Sequence, residues 1–205
     1  MLLKPKIILA SQSPRREELL KRVVKEFETQ AAAIDEKRIE QIILNNSADD
    51  FMMTVKTLVM ELASRKAKVI QKINRRALVI GADTIVILDN QILGKPEDEI
   101  EAYQMIKKLA GNTHQVLTGV SIRYGNIEDC FVSVSKIKFY EWDHQMQYEA
   151  AAYVESGKAM DKAGAYGIQE EAGLWVKWIK GDYNNIVGLP IAKLNKRLNK
   201  LLKRL

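Results

Sequence analysis

The stretch Ala77-Leu78-Val79-Ile80-Gly81-Ala82-Asp83-Thr84-Ile85-Val86-Ile87-Leu88 decides the architecture. It is too rich in β-branched residues for a helix and reads as a strand. Asp89-Asn90 follows as a turn, so Gln91 to Leu93 should return as the second arm of a hairpin. Upstream, a helix runs from about Asp50 to Ile73. It carries Met52, Val55, Val59, Leu62, Val69 and Ile73 on one stripe, with Lys66 as the gap. Still earlier, Lys6 to Ser11 (KIILAS) is a short strand. Ser13 then serves as N-cap and Pro14 as first residue of a helix bearing Leu19, Leu20, Val23 and Phe27. Downstream, Pro96 opens a helix that Gly111 closes, and strands follow around Gln115 to Tyr124 and Cys130 to Tyr140. A helix from His144 to Glu155 ends at Gly157. A glycine-bearing loop spans Asp161 to Gly173, and a strand over Leu174 to Ile179 precedes a terminal helix. The expected fold is α/β: a mixed sheet with flanking helices, forming two lobes around a central cleft within a single domain over residues 1–205.

Composition narrows the function classes. The chain has 205 residues, 47% of them hydrophobic, enough for a substantial core. One cysteine, Cys130, excludes an internal disulfide framework, and no secretion-type leader opens the sequence, so the expected compartment is the cytoplasm. Charges interrupt every apolar run well short of the roughly 18 residues of a membrane-spanning helix, so no membrane partner is expected. The net charge of +6 is local. Pro190 to Leu205 holds Lys193, Lys196, Arg197, Lys200, Lys203 and Arg204 and no acid, leaving the rest of the chain with as many acids as bases. That segment is amphipathic, with Ile191, Leu194, Leu198, Leu201 and Leu205 on one face. It is read as a docked helix with a solvated basic face, and nucleic acid is not an expected partner.

Candidate functional residues stand where local folding rules are broken. Arg15 and Arg16 put two cations at the positive end of a helix dipole, an unfavourable placement unless an anion docks there. The alternative is that both point to solvent or pair with nearby acids. Asp83 is a carboxylate inside an apolar strand, where a metal ion or cationic group would offset its burial. The competing account is a bend at Gly81, with Asp83 satisfying backbone donors. Lys66 interrupts a buried stripe, so it either snorkels past the core or reaches into a polar cleft. Lys95, in Gly94-Lys95-Pro96, sits just before an expected helix start. Lys162 and Gln169 lie in the loop Asp161-Lys162-Ala163-Gly164-Ala165-Tyr166-Gly167-Ile168-Gln169, whose glycines either admit a ligand closely or merely shape a turn. His114 and His144 share no metal-ligand spacing with Cys130, and no Walker-type loop or serine-nucleophile motif occurs, which disfavours zinc and covalent serine chemistry.

Taken together, Leu9-Ala10-Ser11-Gln12-Ser13-Pro14-Arg15-Arg16, Ile34-Asp35-Glu36, the Lys66 helix, Gly81-Ala82-Asp83-Thr84, Gly94-Lys95-Pro96, the Asp161 to Gln169 loop and Val187-Gly188-Leu189-Pro190 resemble the Maf family of nucleotide pyrophosphatases, in family order over nearly the whole chain. The resemblance implies a house-cleaning hydrolase that cuts nucleoside triphosphates to monophosphate and pyrophosphate. Asp83 would be the proton acceptor that activates water. Arg15, Thr84 and Gln169 would mark the branch acting on dTTP and UTP, with modified pyrimidine nucleotides as further candidates. Glu36 and Asp83 would hold Mg²⁺ or Mn²⁺, and Ser11, Arg15, Lys66, Lys95 and Lys162 would surround the triphosphate. A uracil or thymine ring presents an N3–H donor between two carbonyls, and the Gln169 amide can answer both. Two departures from the family pattern are Gln12 in the first motif and the run Ala31-Ala32-Ala33 before Glu36. The competing function is a non-catalytic nucleotide-binding regulator of cell division, and a homodimer is an expected assembly alongside the monomer.

Overall fold

The computed structural model describes residues 5–46 and 50–204. Among the described residues, seven strands and seven helices follow one another. They are β1 (Ile7–Ala10), α1 (Pro14–Lys21), β2 (Glu28–Thr29), α2 (Glu36–Asn45), α3 (Phe51–Ile73), β3 (Leu78–Leu88), β4 (Gln91–Leu93), α4 (Glu99–Leu109), β5 (Thr113–Tyr124), β6 (Ile127–Phe139), α5 (His144–Glu155), β7 (Val176–Lys180), α6 (Tyr183–Val187) and α7 (Ile191–Leu202). Short 3-10 turns occupy Ala163–Ala165 and Glu171–Trp175. The strands make one mixed sheet in the order β2-β1-β3-β5-β6-β7, with β4 added to β3. β1 is parallel to both β2 and β3, whereas β3–β4 and β6–β7 are antiparallel. The expected mixed α/β class is the observed one.

The chain divides into two compact units. The first comprises Met1–Asp83, Thr118–Ser133 and Gly188–Leu205. Here the parallel register sets Ala10 beside Gly81, so the end of β1 and the start of the Ser11 motif lie against the strand that carries Asp83. α3 covers this part of the sheet at very short range. A Cβ on Gly81 would fall 2.2 Å from the Ala63 carbonyl oxygen, and one on Gly119 would fall 2.2 Å from that of Val59. Bare backbone at both positions lets the helix lie directly on the strands.

In the second unit, Thr84–Leu117 and Val134–Val187, the core gathers Val86, Ile106, Phe139, Tyr153, Tyr166 and Trp175. Rings meet edge to face throughout it, as their quadrupoles favour. The hairpin expected at Asp89-Asn90 is present, and both residues adopt positive φ, 48° and 59°, as a type I′ turn requires.

Some boundaries differ from the sequence reading. α1 stops at Lys21, so Val23 and Phe27 lie beyond it, half-buried. α4 begins at Glu99 rather than Pro96, because the Asp98 carboxylate caps it by accepting from Glu101 N at 2.7 Å. The buried stripe of α3 runs through Leu58, Leu62, Lys66 and Ile70, leaving Ile73 76% exposed. A 3.6-residue period drifts off a straight line over so long a helix. The strand expected from Leu174 begins at Val176. α2 had no counterpart in the sequence reading.

α7 buries Leu194, Leu198 and Leu201 as expected, while Leu205 lies outside the described residues. Its basic face is partly engaged in packing. Lys193 Nζ donates to Val132 O at 2.8 Å, Arg197 pairs with Asp129, and both cations sit over the Phe131 ring at 5.1 and 4.9 Å. Part of the charge excess therefore serves as a clamp on β6. No helix among the described residues is long and apolar enough to cross a membrane.

Candidate functional site

Asp83 is 7% exposed and Lys66 8%. The Lys66 ammonium donates to Asp83 Oδ1 at 2.7 Å and also lies 2.9 Å from Glu36 Oε1. The conflict posed by a carboxylate in an apolar strand is thus resolved by the other conflict, a lysine on an apolar helix face: each offsets the burial of the other. A bend at Gly81 is not the reason for Asp83, since Gly81 lies within β3 beneath α3. Glu36 opens α2 behind Asp35, whose carboxylate caps the helix by accepting from Arg38 N at 3.0 Å. One turn later Glu40 lies close enough to be affected. Burial raises its pKa first, and the charges of Asp83 and then Glu36 raise it further.

The first motif completes this group within the same unit. Ser13 caps α1 by accepting from Arg16 N at 3.4 Å, and Ser11 Oγ accepts from Ser13 N at 3.1 Å, so the two hydroxyls fix the turn from β1 into the helix. Arg16 Nε donates to Gly188 O at 3.0 Å, which joins the first motif to Val187-Gly188-Leu189-Pro190. Desolvation lowers the Arg16 pKa; Asp83 and Glu36 oppose that shift, while Arg15 adds to it. Arg16 thus feels the charges of Asp83 and Glu36, and Arg15, the arginine of the expected site, is half-buried next to it in sequence and contributes to the same field. The first unit joins Glu36, Lys66 and Asp83 directly, holds Ser11 and Arg15 as well, places the Arg16 of the same motif under the acids' influence, and adds Glu40, which its spacing from Glu36 could have suggested.

The other expected residues belong to the second unit. Thr84, half-buried, follows Asp83 along β3. Lys95 is exposed and stands four residues ahead of α4, so it is not at that helix's N-terminus. Its segment is tied to the long loop by a bond from Gly164 N to Gly94 O at 2.9 Å. Lys162 is 6% exposed, and its ammonium meets Lys158 O at 2.5 Å, Asp161 at 2.8 Å and Glu170 at 3.1 Å. Gln169 is exposed, with Nε2 donating to Glu170 Oε1 at 3.3 Å. Glu170 and Tyr153, hydrogen-bonded at 2.5 Å, escaped the sequence reading because only the fold unites them.

No three His, Cys, Asp or Glu side chains gather at metal-ligating spacing among the described residues. Asp83 and Glu36 nevertheless converge on one cationic position, and two carboxylates completed by phosphate oxygens and water are a donor set that suits Mg²⁺. His114 is instead fully buried in the aromatic core, 2.8 Å from the Tyr166 hydroxyl, and burial lowers its pKa to about 4.

The family model described as Maf-like protein matches residues 6–201. A dTTP/UTP pyrophosphatase of Thermococcus kodakarensis is 43% identical over 187 residues, covering 90% of this chain and 91% of the relative. The dTTP/UTP pyrophosphatase of Bacillus pumilus is 44% identical over 187 residues, 91% of this chain and 92% of the relative. That of Clostridioides difficile is 44% identical over 197 residues, 95% and 94% respectively. With these matches spanning both units and every motif from Ser11 to Pro190, the chain belongs to the Maf family.

Proposed function

We propose that this chain hydrolyses dTTP and UTP to the monophosphate and pyrophosphate. The observation that carries the reading is the buried Lys66–Asp83 pair with Glu36 on the same ammonium, in a chain 43% and 44% identical to two relatives named dTTP/UTP pyrophosphatase. A purely passive binder gains little from carboxylates beside phosphates, which favours turnover over a regulator of cell division. Glu36 and Asp83 would hold the divalent ion, Mg²⁺ or Mn²⁺, which when bound neutralises phosphate charge.

Asp83 takes the proton of the attacking water. The water oxygen bonds to the α-phosphorus, the bond from that phosphorus to the α,β-bridging oxygen breaks, and pyrophosphate departs with the bond's electrons. Lys66 exchanges a carboxylate partner for a phosphate oxygen as substrate binds, which frees Asp83 for that proton. Ser11, Arg15, Lys95 and Lys162 serve the triphosphate. Arg15, Thr84 and Gln169 set the pyrimidine preference. The enzyme works in the cytoplasm, where its substrates are made, either as a monomer or as a homodimer.

The test is a nucleotide panel with Mg²⁺ or Mn²⁺ and identification of products. Monophosphate and pyrophosphate from dTTP and UTP are expected. Release of orthophosphate and a diphosphate overturns the cleavage point, and tight nucleotide binding without turnover would make the chain a regulator.

A further inference from the structure

The loop carrying Lys162 and Gln169 is held by two residues to which nothing above gives a part in the reaction. Tyr153, on α5, is 3% exposed with its ring edge-on to Trp175 at 5.6 Å. Its hydroxyl accepts from Gly167 N at 3.0 Å and donates to Glu170 Oε2 at 2.5 Å. The other oxygen of that carboxylate, Oε1, receives Lys162 Nζ at 3.1 Å and Gln169 Nε2 at 3.3 Å. All three groups crowd over the bare Cα of Gly167. A Cβ there would fall 2.7 Å from Lys162 Cε, 2.9 Å from Glu170 Oε2 and 3.0 Å from Gln169 Nε2.

We infer that Glu170, held by Tyr153, is a positioning residue that orients the Gln169 amide so that its carbonyl oxygen, and not its NH₂, is presented to the pyrimidine base. The inference rests on the dTTP/UTP reading and specifies how the base is chosen. An ionised carboxylate has no proton to donate, so of the two ends of an amide only the NH₂ can face it. The carbonyl is then turned away from Glu170. Uracil and thymine carry a proton on N3 and donate to such an oxygen. Cytosine has a lone pair on N3 and meets it with repulsion, and a site that leaves polar groups unpaired discriminates strongly. Without Glu170 the amide turns over freely and accommodates either ring.

The decisive measurement is the UTP-to-CTP preference of Glu170→Ala, Glu170→Gln and Tyr153→Phe. It is read both as the ratio of kcat/KM and as the ratio of dissociation constants for the α,β-methylene analogues, which need no turnover. Any change in how Lys162 meets phosphate is common to both nucleotides and cancels in the ratio. Glu170→Ala should reduce the preference by about ten-fold, chiefly through a raised KM for UTP with kcat nearly kept. Glu170→Gln, which offers the amide both a donor and an acceptor, should reduce it partially. Tyr153→Phe keeps the ring packing and should act in the same direction with smaller effect. An unchanged ratio in a Glu170 variant that melts like the parent protein overturns the inference, and if Glu170→Ala does not fold, the other two variants decide. A parent protein that binds the UTP analogue selectively but cuts no triphosphate would refute the reaction and leave the positioning role standing. Equal affinity for both analogues in the parent refutes the positioning role itself.

Discussion

Lys66 Nζ stands 2.7 Å from Asp83 Oδ1 with both side chains about one-tenth exposed, so either residue left alone becomes a buried charge without its main partner. Lys66→Met should therefore destabilise the fold by about 3–5 kcal/mol, and the double variant Lys66→Met/Asp83→Asn should recover much of that loss. Urea unfolding of the parent, Lys66→Met, Asp83→Asn and the double variant measures it; additive losses would show that the pair is not coupled. In activity the two differ. Asp83→Asn should abolish turnover while the protein stays folded, and full activity would remove Asp83 as the proton acceptor.

Gly81→Ala places a methyl group 2.2 Å from the Ala63 carbonyl, and neither the strand nor the helix backbone can yield easily. Forcing α3 off β3 should cost about 1–3 kcal/mol. Because α3 carries Lys66 and β3 carries Asp83, turnover should fall as well. A melting temperature equal to that of the parent protein would show that the close approach is not required.

His114 gives the second unit a definite pH dependence. In the unfolded chain the imidazole takes up a proton near 6.5, whereas burial in the folded protein lowers its pKa to about 4, with the Asn112 backbone opposing in part. Between those values the unfolded state binds more protons, so this contribution is complete above pH 6.5 and is lost as pH falls toward 4. The full loss is about 3 kcal/mol. Melting curves from pH 7 to 4.5 should show a shallower decline for His114→Gln than for the parent. Parallel declines would mean that His114 does not titrate in this window.

The clamp over Phe131 separates packing from charge on α7. Arg197→Ala removes the ion pair with Asp129 and the guanidinium stacked at 4.9 Å, and should cost about 1 kcal/mol. Lys200→Ala, on an exposed position, should leave stability within about 0.5 kcal/mol. Chemical denaturation of the two variants checks the contrast, and equal effects would reduce the clamp to ordinary surface charge.

Cys130 should be a sluggish thiol. Burial raises its pKa to about 11, the Glu128 carboxylate adds to the shift, and Ser121 and Arg123 oppose it. Little thiolate is then present at pH 8, so alkylation of the folded protein should run well below that of the unfolded chain. Equal rates would contradict it.

The sequence made legible what local chemistry determines. The Ser13–Pro14 helix start, the Asp89-Asn90 hairpin, the length of α3 and the extent of α5 all follow from caps, turn residues and periodicity. Lys66 and Asp83 stood out because each violates its own surroundings. That they answer each other was not legible, because the contact joins residues 17 positions apart on a helix and a strand. Pro96 misled because Asp98, a stronger cap, lies two residues on. The signals of α2 are present as well, an Asp35 cap ahead of Ile39, Ile42 and Ile43 at i, i+3 and i+4, but in a short helix with one buried residue they are easily passed over. Arg16 stood out locally but its bond to Gly188 did not, and Glu40, Glu170 and Tyr153 acquire meaning only from tertiary neighbours.

The bond from Arg16 Nε to Gly188 O spans 172 positions, almost the whole length of the chain. During synthesis the guanidinium beside the acids is made 172 residues ahead of its carbonyl acceptor. A nascent or prematurely terminated chain ending before residue 188 lacks this closure. The contact thus makes the arrangement of the first motif depend on synthesis through residue 188, and a nonsense change just ahead of that codon would reach a motif 172 positions upstream.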